Sequence, residues 1–149
     1  MMGYTTGIKL CISTTLAGLT AFWGWFGWLT LLWIGCMLLD WLTGTMAACK
    51  QGNWHSDIAR RGIWSKLGSL IVVVVAVLLD FGVSLMTEHL QVLPFTYTVV
   101  LSPIVIAWYI LTELGSILEN AGEMGASLPK FLTRWIAVLK KKVDESGKQ

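Results

Sequence analysis

Between residues 67 and 129 the chain has no lysine and no arginine. Charge is scarce throughout, at 13% of residues, where a soluble domain carries about 25%. That shortage leaves no room for a separate soluble catalytic domain. Cysteine is scarce too: Cys11, Cys36 and Cys49 form no CxxC pair and lack metal-ligand spacing. They are read as small apolar residues of helices. The two histidines, His55 and His89, fall on opposite sides of an apolar run and cannot share a metal or a catalytic dyad. There is no GxSxG, no HExxH and no phosphate-cradling loop. The expectation is a protein that is not an enzyme, with no metal, no cofactor and no nucleic-acid partner.

What the chain does have is apolar sequence, at 55% of residues and a mean hydropathy of +0.66. Apolar runs near 20 residues match the thickness of a bilayer. Such a run must satisfy every backbone group internally, so even the β-branched IVVVVAVLL at 71–79 is expected to be helical. The fold class is therefore an all-α integral membrane protein forming a single membrane domain. Three transmembrane helices are expected, at 26–46, 67–86 and 97–118. An N-terminal segment, 8–23, either lies in the membrane interface or forms a fourth span. The run that follows it continues through Trp23 and Trp25, so the segment is read as retained rather than cleaved.

Basic residues flank the cation-free stretch on both sides. Lys50, Arg60, Arg61 and Lys66 precede it, and Lys130, Arg134, Lys140, Lys141, Lys142 and Lys148 follow it. Positive charge marks the cytoplasmic ends of spans. The stretch thus reads as a hairpin that leaves the cytoplasm and returns, with a short outer turn at 87–94. The polar segment 48–66 becomes a cytoplasmic connection, the C-terminus is cytoplasmic and the N-terminus lies outside. Trp23, Trp25 and Trp28 form an aromatic belt at the outer boundary of span one.

Span three holds Pro103. Ser102 and Pro103 either start a helix or kink a longer one. Gly122 and Gly125 are expected to break it, and Ser127 to cap a last helix over 127–142. The residues after it, 144–149, are expected to fray. In that helix Phe131, Leu132, Trp135, Val138 and Leu139 make an apolar face. Lys130, Arg134, Lys140 and Lys141 supply cations suited to the anionic headgroups of the lipid bilayer.

Asp40, Asp80, Glu113 and Glu119 lie in or at the ends of the spans, where a carboxylate at mid-bilayer costs about 2.5–3.5 kcal/mol. Asp40 and Glu113 share a similar depth, so they either line a polar inter-helix surface or sit near inner headgroups. In the second case Lys66, Arg60 or Arg61 would pair with Asp40 and Glu119. Gly44, Ala48, Ser65, Ser69 and Gly115 are small enough to allow close helix approach.

Several segments together resemble one family. They are DWLTG at 40–44, GIWSK at 62–66, Asp80 closing the second apolar run, and YILTELGSILENAGEMGASLP at 109–129. The chain is similar over 31–139 to the toxin-secretion and phage-lysis holin family. The resemblance implies a small bacteriophage-type protein of the host cytoplasmic membrane. It implies a homo-oligomer that forms lesions through which an endolysin or a large toxin leaves the cell. On that reading Asp40, Thr43, Glu113 and Ser116 are the candidates for a pore-lining face. The alternatives are a small ion or solute channel, and a non-conducting structural or regulatory membrane subunit.

Overall fold

The computed structural model describes residues 2–53, 55–89 and 99–147. Most side chains between 2 and 23 lie outside the described set, that of Trp23 among them. The described residues form four helices in order: α1 (Met2–Lys50), α2 (Ser56–His89), α3 (Leu101–Glu123) and α4 (Lys130–Ser146). Among the described residues there is no strand. Among the described residues three helical segments are long and apolar enough to cross a membrane: Gly24–Lys50, Gly62–His89 and Leu101–Glu123. Each is offset from the expected limits. The first is longer at both ends, and the last starts later and ends later. Residues 97 and 98, where span three was expected to begin, and 90–94 of the outer turn lie outside the described residues. The first part of that expected turn, 87–89, is helical.

α1 is broken once. Gly24 takes φ 59° and ψ −167°, a backbone region open essentially to glycine alone. It separates the N-terminal helical segment, which contains 8–23, from span one. The expected connection at 48–66 is mostly helix: only Gln51 to His55 stand between α1 and α2. Gly52, at φ 70°, supports the turn, and Asn53 N–H closes it on Ala48 O at 3.1 Å. Asp57 then sits in the first turn of α2, where a negative charge meets the positive end of the helix dipole, and pairs with Arg60. With 34 residues, α2 is about 51 Å long at about 1.5 Å per residue. It therefore exceeds a hydrocarbon layer of about 30 Å.

α1 packs mainly on α3, and α2 leans on both. The buried core is small: Trp33 and Cys36 of α1, Val73 of α2, Ile106 and Ile110 of α3. The Tyr109 ring lies 5.8 Å from that of Trp33. In α1 and α2 most residues of the spanning segment are exposed or half-buried, and the exposed surface is apolar, from Leu31 to Phe81, whereas α3 is mostly half-buried. Threonines inside the spans bond back to their own helix. Thr30, Thr45 and Thr112 donate to the carbonyls of Phe26, Trp41 and Trp108 at 2.8–2.9 Å, so their hydroxyls stay satisfied in an apolar setting.

Three sequence expectations about the C-terminal part are corrected. Gly122 does not end span three, since α3 continues to Glu123 and the turn falls on Gly125 at φ 93°. Its missing side chain serves packing instead: a Cβ there would stand 3.1 Å from Leu128 Cδ1. Ser127 does not cap the last helix, because α4 begins only at Lys130, with Pro129 at the cap position and no side-chain cap bond. That start places the Ser127 hydroxyl two residues too early to meet the first free N–H groups. α4 also runs to Ser146, through residues expected to fray.

Candidate functional site

Asp40 and Glu113 meet inside the bundle, and a lysine joins them. Lys66 Nζ donates to Asp40 Oδ2 at 2.6 Å and also to Glu113 Oε2. The three side chains come from α1, α2 and α3, and all are largely buried. Asn120 completes the cluster. Its Nδ2 lies 3.1 Å from Asp40 Oδ1 and 3.1 Å from Thr43 Oγ1. Thr43 in turn donates to the Leu39 and Asp40 carbonyls of its own helix. Glu113 is near the middle of α3, Asp40 is ten residues from the end of α1, and Lys66 is four residues into the spanning segment Gly62–His89. Lys66 reaches the two carboxylates from the N-terminal part of α2, which starts at Ser56.

Of the residues singled out in the sequence, the fold joins Asp40, Thr43 and Glu113. Ser116 is nearby, on the wall of a cleft of about 500 Å³. Gly44, Ala48, Glu119 and Glu123 also line this cleft. At its mouth Gln51 Nε2 donates to Glu123 Oε2 at 3.1 Å, and Lys50 Nζ donates to the Met124 carbonyl. Gly44 marks a close approach, since a Cβ there would lie 3.4 Å from Asn120 Nδ2. Gly115 faces Ile136 of α4, 3.9 Å away by the same measure. Ser69 is buried and bonds to the Lys66 carbonyl of its own helix, while Ser65 is exposed.

Asn120 was missed in the sequence. The signal was there: 113, 116 and 120 recur at helical spacing and put three polar side chains on one face of α3. In the sequence Lys66 stands as a flanking cation that could pair with Asp40.

A second buried carboxylate works differently. Asp80 of α2 accepts from Leu101 N–H at 3.1 Å, from Ser102 N–H at 2.6 Å and from Ser102 Oγ at 2.6 Å. These are free donors at the start of α3, where negative charge is favoured. The cap of α3 is thus borrowed from a neighbouring helix. Ser102 and Pro103 lie in the first turn of that helix, and a start rather than a kink is observed.

The belt and tail residues are less clustered. Trp25 is exposed and edge-on to Phe26 at 6.2 Å, and Trp28 is partly buried. α4 folds back along α3 instead of leaving from its end. Lys140 Nζ stands 4.3 Å above the Trp108 ring, in the first half of α3, a cation–π contact. Lys130, Arg134, Lys141 and Trp135 are exposed. Cys36 is buried and Cys49 exposed, both as free thiols. Among the described residues no group of His, Cys, Asp or Glu side chains could hold a metal ion.

Three spanning helices, an apolar outer surface and a small ionic interior define a compact polytopic membrane protein. The profile of the bacteriophage holin family matches residues 17–141, and the chain belongs to that family. It is 35% identical over 104 residues to an uncharacterised protein of Halalkalibacterium halodurans, covering 70% of this chain and 72% of the relative. An uncharacterised Clostridium perfringens protein is 33% identical over 142 residues, covering 91% and 96%. A second, an uncharacterised 14.9 kDa protein of Clostridium perfringens, is 33% identical over 106 residues, covering 71% and 72%. No solved structure matches. The family is not an enzymatic one, and membership implies a membrane location and self-association.

Proposed function

We propose that this protein assembles in the bacterial cytoplasmic membrane into lesions that let an endolysin or a large toxin out of the cell. The observation that carries this reading is the family match over 17–141, joined to a first and a second span whose exposed surface is apolar. Such a surface must be covered by lipid or by further copies. The N-terminus lies outside in this reading, and the basic 50–66 segment lies inside. Asp40, Thr43, Glu113 and Ser116 supply the polar face. In the single chain Lys66 holds the two carboxylates, and Asp40 and Lys66 line the open cleft.

Inducible expression in a bacterium tests the proposal. Depolarisation and growth arrest should come abruptly after a delay, and a co-expressed endolysin should then lyse the culture. Tolerated expression at equal membrane levels would point to a non-conducting subunit. Depolarisation without release of a folded protein would point to a selective channel. Either result would overturn the lesion reading.

A further inference from the structure

The cleft beside the Asp40–Lys66–Glu113 cluster has an apolar neighbour. A groove of about 330 Å³ lies between α1 and α2, lined by Met37, Leu38, Ile63, Leu67 and Leu70. Trp41 and Lys66 line both the groove and the cleft. Lys66 Nζ is held by Asp40 and Glu113, so the groove meets only its methylene stem.

The two spaces differ in depth, and both helices agree on the order. In α1 the groove takes residues 37–41 and the cleft 40–48, nearer the turn into α2. In α2 the groove reaches Leu70, whereas the cleft stops at Lys66. The cleft therefore opens at the ends of the spans, and the groove runs on towards their middle. This is the polarity of a phospholipid, headgroup outermost and acyl chain within. It holds for either orientation of the chain in the membrane.

Charge selects the headgroup. Asp40, Glu119 and Glu123 line the cleft, and Lys66 is the cation among its lining residues. Lys66 is already shared between Asp40 and Glu113. Glu119 and Glu123, one helical turn apart, have no cation. Glu123 accepts from the neutral amide of Gln51, and Glu119 has no ion pair among the described residues. Like charges at this spacing repel. An ammonium between them would replace the repulsion with charge-assisted hydrogen bonds.

We propose that cleft and groove together bind one phospholipid whose headgroup carries a primary amine. The ammonium sits between Glu119 and Glu123, Lys50 at the mouth meets the phosphate, and an acyl chain lies in the groove against Leu67 and Leu70. An anionic headgroup would bring more negative charge to the two glutamates, and a quaternary ammonium has no N–H to donate. Such a site belongs to the single chain and stands whether or not the chain forms lesions.

Native mass spectrometry of the full chain in detergent tests it. The probes are phosphatidylethanolamine, phosphatidylglycerol and phosphatidylcholine with identical acyl chains. Phosphatidylethanolamine should bind one per chain, about tenfold more tightly than the other two, the worth of one hydrogen bond to a charged group. Glu119→Gln with Glu123→Gln should remove that preference, and both positions are exposed, so the fold is kept. Leu67→Trp, also at an exposed position, should fill the groove and weaken phosphatidylethanolamine by a similar factor. Equal binding of the three lipids would overturn the proposal, as would a preference that survives the loss of both glutamates. Displacement of the lipid by an equal concentration of chain-free glycerophosphoethanolamine would make the ligand a soluble amine and overturn it too. Lipid-free dimers that Leu67→Trp breaks would give the groove to a second copy, with the same consequence.

Discussion

Asp80 shows how a single carboxylate can be stable in an apolar run. It is 2% exposed and receives two backbone N–H groups and one hydroxyl from the start of α3. The negative charge is matched by donors that would otherwise be orphaned. Asp80→Ala should lower stability by about 1–3 kcal/mol, the range for a lost cap plus unsatisfied buried donors. Asp80→Asn keeps an acceptor oxygen and should cost less. Thermal unfolding in detergent micelles measures both, and equal losses for the two variants would contradict the capping role. Asn120 makes the same point for an amide: its one Nδ2 ties α3 to both Asp40 and Thr43 of α1, at a place where Gly44 leaves room.

At the scale of elements, the joints matter more than the spans. Gly24 interrupts α1 with a backbone that a Cβ would strain by about 1–3 kcal/mol. The space around it is open, so the only obstacle to a side chain is the conformation. Gly24→Ala should shift this joint towards continuous helix. Spin labels at Ala17 and Leu31 would then move apart to the separation of a straight helix, about 21 Å along the axis at about 1.5 Å per residue. An unchanged distance distribution would mean that the break is held by something other than the glycine. α2 carries the opposite lesson. Its β-branched run at 71–77 stays helical because lipid gives the backbone no other partners.

The whole molecule turns on the Asp40–Lys66–Glu113 cluster, the polar point at which three spans meet. Removing one side of a buried ionic contact costs about 3–5 kcal/mol, because the remaining charge is left uncompensated. The double variant Asp40→Asn, Glu113→Gln leaves Lys66 in that position. It should loosen the bundle and bring lysis forward relative to the native chain at equal expression. Lysis onset in culture and dye entry into cells read the effect. Unchanged onset and permeability would remove these residues from the polar face proposed for the lesion.

Much of this was determined by the sequence alone. Its shortage of charge made the membrane the solvent, and its apolar runs then had to be helices, since a backbone in lipid has no other partners. The position of each carboxylate within its run was legible, because depth follows from counting residues. Partnership was not. Periodicity places a side chain on a face but does not say which face of another helix it meets. Only tertiary structure could bring Lys66 down to Asp40 and Glu113, lend Asp80 to the start of α3, and fold α4 back along that helix. Each of these depends on where a helix begins. Those starts, at Ser56, Leu101 and Lys130, were set by short turns and borrowed caps that leave only weak marks in a sequence.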